Sequence, residues 1–276
     1  MQQTLIVKSP VVSIYITPKE NTEICTQAIY SNCVQLLKKR QDGWCKIKMI
    51  DQEEGWTKQT HLTENSFYQM PSSLYPVKNL FAHIYQAAET AVSPPLITLP
   101  FSAKIKLSKR QDLSARWLSI VLANGKKAWI QRGDIDLHPI LKRPEEIADF
   151  AMKFMGLPYT WGGSSSFGYD CSGFIQMLFR EMGYTIPRNA RDQINWNGFI
   201  TIDDKNLQNG DILFFGEGKI THVGLYLGKG QFLHAGVRDA APVIGISSLS
   251  STNYTYITAR RLVNHEIQNT PSDPQL

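Results

Sequence analysis

Apolar and polar positions along the first half of the chain alternate in short runs. Cys45-Lys46-Ile47-Lys48-Met49 and Leu118-Ser119-Ile120-Val121-Leu122 each read as a half-buried strand followed by a turn, Asp51 to Gly55 in one case and Asn124-Gly125 in the other. Asn-Gly between two such runs is a strong hairpin signal. The two segments belong to an internal repeat. Val34-Gln35-Leu36-Leu37-Lys38-Lys39-Arg40-Gln41-Asp42 is echoed by Ile105-Lys106-Leu107-Ser108-Lys109-Arg110-Gln111-Asp112, and Trp44 and Trp117 are each followed by a second tryptophan, Trp56 and Trp129, 12 positions later. This predicts two small β-barrels over residues 1–65 and 77–137, the second carrying an insertion-like run from His83 to Pro100. Thr63 to Pro76 and His138 to Pro144 read as linkers, and the polar, proline-bearing stretch 264–276 as a flexible tail.

The second half changes period. Pro144 opens a helix whose apolar face is Ile147, Phe150, Ala151 and Phe154, ended by Gly156 and Pro158. After a glycine-rich stretch, Phe174, Ile175, Leu178, Phe179 and Met182 recur at helical spacing up to Gly183, which puts Cys171 in the first turn. Unpaired backbone N–H groups and the helix dipole there favour a thiolate. Thr221 to Leu227 and Gln231 to Ala235 are then two strands around a Gly228 to Gly230 turn. His222 and His234 fall on neighbouring strands about 5 Å apart. The whole is an α+β chain, with residues 145–263 as its last domain.

Composition narrows the options little. Hydrophobic content of 42% and charged content of 19% describe an ordinary globular protein, and a net charge of +5 without a basic stripe argues against nucleic acid as a partner. Leu5-Ile6-Val7 is too short for an export segment or a membrane span, so the expected location is the cytoplasm. Cys25, Cys33, Cys45 and Cys171 form no CxxC pair, and the first three read as residues of a half-buried sheet. His61, His83, His138 and His265 lie at domain edges and read as solvated.

Cys171, His222 and His234 together have the composition of a cysteine peptidase site. One imidazole takes the thiol proton and later protonates the leaving amine, and a second polar group holds its tautomer. A zinc site from the same three residues lacks paired short spacing and a fourth ligand. A buried helix cysteine beside two core-edge histidines is the purely structural alternative.

The segments Gly156-Leu157-Pro158-Tyr159-Thr160-Trp161-Gly162-Gly163, Asp170-Cys171-Ser172-Gly173, Pro187-Arg188, Asn209-Gly210-Asp211, Thr221-His222-Val223-Gly224 and Phe232-Leu233-His234-Ala235, in this order, resemble the NlpC-type cysteine peptidases, papain-like enzymes that cut bacterial cell-wall peptides. Asp42-Gly43-Trp44 and Glu54-Gly55-Trp56 resemble bacterial SH3-like domains, with Ala128-Trp129 as the variant in the second copy. With both, the chain is similar to the γ-D-glutamyl-L-diamino acid endopeptidases of that family. The resemblance implies Cys171 as nucleophile, His222 as general base, His234 as the residue orienting it and Tyr159 as an oxyanion donor. It implies Asp170, Ser172, Trp161 and Arg188 around the substrate, and groups of the first repeat, Asn32, Glu53 and Glu54, closing on its amino end. Ala190 replaces a serine often found after Pro-Arg. The implied substrate is a small murein peptide with a free N-terminal L-Ala, cut between γ-D-Glu and the diamino acid in wall recycling, by a monomer without metal or other cofactor. An exported wall hydrolase or toxin with the same chemistry, and a non-catalytic binder of wall fragments, are the alternatives.

Overall fold

The computed structural model describes residues 3–64, 68, 74–91, 94–237 and 241–263; the expected tail 264–276, with His265, lies outside the described residues. Among the described residues three antiparallel sheets of six or seven strands carry the chain, with a two-stranded ribbon, Ser164–Ser165 against Gly168–Tyr169, just before Cys171. The first orders its strands Ile24–Ile29, Val11–Tyr15, Glu54–Lys58, Trp44–Lys48, Cys33–Lys39, Thr4–Val7 and Leu62–Thr63. The predicted hairpin is there in register, Trp44 opposite Lys58 and Ile47 opposite Gly55. Its inward residues, Cys45 and Ile47, join Val12, Ile14 and Val34 in a buried cluster.

The second sheet repeats the scheme with Ile97–Pro100, Phe81–Tyr85, Lys127–Gln131, Trp117–Val121, Lys104–Leu107 and Tyr75–Pro76. Leu118 and Ile120 point into its core, as the alternation requires. Two expectations need adjustment. Tyr75–Pro76 pairs with Lys104–Leu107, so this sheet starts inside the stretch read as a linker, and Tyr68 within that stretch is buried in the second core. The run His83 to Pro100 is no separate insertion, because its two ends are paired strands, Thr98 opposite His83 and Ile97 opposite Ile84.

The third sheet orders Phe199–Ile202, Tyr256–Leu262, Ile212–Gly216, Ile220–Gly228, Gln231–Gly236 and Val243–Ser248. The helix Cys171–Glu181 packs on its Ile220–Gly228 and Gln231–Gly236 strands. Phe174, Ile175, Leu178 and Phe179 are buried between helix and sheet with Ile147, Ala151 and Phe154 from the short helical run that begins at Pro144. A second cluster, Leu213, Phe215, Phe232 and Tyr254 among its members, also packs on this sheet. No helix among the described residues is long and apolar enough to cross a membrane.

Both N-terminal sheets dock on this last unit, through different surfaces. The first meets it through Ile24–Ile29, where Gln27 Oε1 accepts from the Ser164 amide at 3.1 Å and Thr26 Oγ1 accepts from Arg188 Nε at 2.9 Å. Gly162 has φ of +73°, and a Cβ on it would sit 2.6 Å from Ile24 Cγ2 and 2.9 Å from Ile24 O. Only glycine permits both that backbone conformation and that approach. The second sheet docks through Phe101, buried against Phe150 and Phe154, and through Phe81 stacked on Phe167.

Candidate active site

Helix Cys171–Glu181 begins where Asp170, in extended backbone, accepts from the Gly173 amide at 2.7 Å. That cap satisfies one of the helix's orphan donors and puts Cys171 in the first turn. The sulfur is reached by the backbone N–H of Val223, so it lies beside the strand that carries His222. The expected pull of the helix start toward a thiolate meets an opposing one. Burial, and then the Asp170 carboxylate, push the Cys171 thiol up to about 12, against the weaker pull of backbone donors and Arg188. Removing a thiolate from water costs more than one helix terminus returns.

His222 Nε2 and His234 Nδ1 are 2.8 Å apart, and His234 Nε2 lies 2.9 Å from Ser247 Oγ. Both imidazoles are buried. The hairpin places Leu225 opposite Leu233, which sets His222 and His234 diagonally rather than face to face. Tyr254 stacks on the His222 ring with centroids 3.9 Å apart and planes 15° from parallel. Gly236 backs the second ring, since a Cβ there would fall 2.4 Å from His234 Cε1.

A cavity of about 710 Å³ opens over this chemistry. Cys171, His222, Tyr159, Asp170, Ser172 and Trp161 line it from the last unit, and Glu23, Ile24, Cys25, Lys46, Glu53 and Glu54 from the first sheet. No residue of the second sheet is on its wall among the described residues. Tyr159 is held protonated well above the usual phenol range, by burial first and by Cys171 second, so its hydroxyl stays a donor. Trp161 is 65% exposed at the rim. Burial, and next Asp51, raise the Glu53 carboxyl, while Glu54 pairs with Lys46 at 2.7 Å.

Two expected pocket residues lie elsewhere. Arg188 is buried, 2% exposed, and spends its donors inside the protein: Nη2 on Asp170 Oδ2 at 2.6 Å, Nη1 on Asp170 Oδ1 and Ser172 Oγ, and Nε on Thr26. It is a clamp between the cysteine loop and the first sheet. Burial disfavours its charge, but Asp170 outweighs that and keeps the guanidinium ionised. Asp170 therefore lines the cavity with a carboxylate already paired and capping a helix. Asn32 also turns away; its Oδ1 accepts from the Ile29 amide, and the neighbouring Tyr30 hydroxyl accepts from the Ala123 amide of the second sheet. Tyr254, Ser247, Arg191 and Lys219 were missed, because none sits in a recognisable motif. Cys25 lines the cavity too, with its thiol raised to about 11, chiefly by burial and next by Glu53. Among the described residues no group of three or more His, Cys, Asp or Glu side chains is arranged to hold a metal ion.

A cysteine at a helix start beside a histidine pair on an antiparallel sheet is the equipment of a cysteine peptidase. Residues 156–262 match the NlpC/P60 family. A γ-D-glutamyl-L-lysine dipeptidyl-peptidase of Bacillus cereus is 30% identical over 86% of this chain and 74% of its own length. An enzyme of the same name from Bacillus subtilis is 48% identical over 40% of this chain and 37% of its own. The crystal structure of an NlpC/P60 family protein from Bacillus cereus superposes with a TM-score of 0.79 over 94% of this chain and 99% of that one, at 22% identity. The chain belongs to the NlpC/P60 family: it is a cysteine peptidase with that family's papain-like, mainly β architecture.

Proposed function

We propose that this peptidase hydrolyses the amide between γ-D-Glu and the diamino acid of murein peptides that begin with a free L-Ala. The observation that carries the reading is the shared cavity. Cys171, His222 and Tyr159 line it from the last unit, and the first sheet adds Glu23, Glu53 and the Glu54–Lys46 ion pair. On the first sheet's part of the wall carboxylates outnumber cations, Glu23, Glu53 and Glu54 against Lys46, which suits a substrate ending in an ammonium group, and the named activity of the Bacillus relatives suits the same bond. Selection for a short peptide's amino end favours released fragments over cross-linked wall, which fits recycling. We read the two N-terminal sheets as SH3-like domains, the first as the cover of the site, and residues 145–263 as the peptidase domain.

In this reading His222 removes the Cys171 proton as the sulfur attacks the scissile carbonyl, burial and Asp170 having raised the thiol. With Nε2 turned to His234, the transfer falls to Nδ1. The Tyr159 hydroxyl and the backbone N–H at Cys171 bind the tetrahedral oxyanion; losing one such donor typically costs about 2.7–4 kcal/mol in the barrier. His222 then gives its proton to the departing amine of the diamino acid, leaving a thioester on Cys171. Water, deprotonated by His222, hydrolyses the thioester and regenerates the thiol.

The test is a mass-spectrometric cleavage profile over stem peptides with free and acetylated amino ends. Wild-type protein should cut the free tripeptide L-Ala-γ-D-Glu-diaminopimelate and its Lys counterpart, and spare the acetylated forms. Cys171→Ala should lose cleavage by about 10⁶-fold, the scale seen when a nucleophile is removed. Undiminished cleavage by Cys171→Ala would refute the catalytic assignment, and equal cleavage of acetylated peptide would refute the amino-end selection.

A further inference from the structure

Ser247 stands on Val243–Ser248, the edge strand beyond the histidine hairpin. That strand pairs with Gln231–Gly236 so that His234 faces Gly245 and Phe232 faces Ser247. The serine therefore shares the face of the sheet that His234 occupies, one step along. Its Oγ is 2.9 Å from His234 Nε2, and His234 Nδ1 is 2.8 Å from His222 Nε2. Three polar side chains on three consecutive strands form a single line that ends at His222, which lines the same cavity as Cys171.

Hydrogen-bond direction along this line is fixed by what His222 must do. To take the thiol proton at Nδ1, neutral His222 carries its own proton on Nε2, and that N–H donates to His234 Nδ1. His234 Nδ1 is then bare, so its proton sits on Nε2 and donates to Ser247 Oγ. The opposite tautomer of His234 reverses the line and protonates His222 at Nδ1, where it cannot accept from the thiol. We propose that Ser247 is a positioning residue: its hydroxyl, as acceptor, holds His234 in the Nε2–H form and through it keeps His222 competent as a base. The inference rests on the roles of His222 and His234 argued above.

Ring orientation has other supports. Tyr254 stacks on His222, Phe232 packs 4.6 Å from the His234 ring centre and Gly236 admits that ring. What Ser247 adds is the choice of protonated nitrogen. It lies outside the substrate cavity, on a separate small cavity of about 40 Å³ behind His234, so its loss leaves substrate contacts in place.

Ser247→Ala and Ser247→Thr, assayed beside the parent, test this. Ser247→Ala should lower kcat by about ten- to a hundredfold, the range for outer partners of a working histidine, with KM within about twofold. Ser247→Thr, which keeps the hydroxyl, should recover most of kcat. In ¹⁵N-histidine NMR on the Cys171→Ala background, neutral His234 should be the Nε2–H tautomer while Ser247 is present, and adding Ser247→Ala should abolish that preference. The tautomer signal is read without turnover, so it reports on Ser247 even if the peptide substrate is different. Unchanged kcat in Ser247→Ala, a Ser247→Thr as slow as Ser247→Ala, or a His234 tautomer indifferent to position 247 would each overturn the proposal.

Discussion

The two N-terminal sheets are copies of one pattern, with the same central hairpin and the same pair of tryptophans, yet only one of them reaches the chemistry. In the first, the turn before Glu54–Lys58 ends in Glu53 and Glu54, which line the cavity. In the second, the equivalent turn before Lys127–Gln131 ends in Lys126 and Lys127, both exposed to solvent. The first sheet offers its Ile24–Ile29 strand to the loop around Cys171 and lines the cavity, while the second offers Phe101 to the helical side of the core and Phe81 to Phe167, away from the cavity. A shared fold thus serves as a wall of the site in one copy and as a buttress in the other; docking surface and turn charge make the difference.

That contrast gives its largest consequence at Arg188, where the first sheet, the helix cap and the cysteine loop are joined by one guanidinium. Arg188→Ala leaves the 8%-exposed Asp170 carboxylate without its partner. Breaking a buried pair in this way costs about 3–5 kcal/mol. Denaturant unfolding should register that loss, and activity per folded molecule should fall with it because the loop at Cys171 loses its anchor. If activity per folded molecule were unchanged, the first sheet would not position the cysteine loop.

The second sheet predicts the opposite pairing of effects. Phe101 is buried among Phe150 and Phe154 and touches nothing in the cavity. Phe101→Ala should cost about 3–4 kcal/mol of stability through the lost ring and the space left behind, with kcat and KM of the folded fraction unchanged. A drop in kcat/KM would mean that the buttress also transmits strain to the site, and the contrast between the two copies would have to be given up.

Much of this arrangement is legible in the sequence because periodicity and turn chemistry are local. The helix that opens at Cys171, the histidine-bearing strands and both tryptophan hairpins follow from spacing alone. Arg188 and Asn32 take directions that no spacing encodes. Arg188 is turned by what docks on it, Thr26 of the first sheet, and Asn32 by the turn it closes, where its Oδ1 accepts from the Ile29 amide. Ser247 and Tyr254 lie in a serine- and threonine-rich stretch with no motif; strand pairing brings Ser247 beside His234, and the segment before Tyr256–Leu262 brings Tyr254 onto His222. The Cys171 thiol shows two local signals in conflict. The helix start favours ionisation, whereas burial and the adjacent Asp170 oppose it, and which prevails depends on enclosure by elements distant in sequence.

The smallest expected effect separates the two turns directly. Glu53 faces the cavity and Lys126 faces water, so Glu53→Gln should raise KM for a free-amine peptide about tenfold, equivalent to about 1.4 kcal/mol, whereas Lys126→Gln should leave KM alone. The pH dependence carries a sign. Burial first, and Asp51 second, raise the Glu53 carboxyl, and only the ionised form attracts an ammonium group. Its contribution to binding is therefore complete above the raised value and lost as pH falls through it, beginning above the ordinary glutamate value of about 4.3. KM of the parent should climb on acidification in that window, and KM of Glu53→Gln should not. Stability runs the other way: a carboxyl raised in the folded state holds its proton more tightly there than in the unfolded chain, so folding is favoured below the unfolded value and that advantage fades as pH rises through the folded one. Glu53→Gln should accordingly be no less stable than the parent at neutral pH while binding substrate worse. A variant that lost stability and kept KM would identify Glu53 as a structural residue of the turn, and the first sheet would then wall the cavity without reading what enters it.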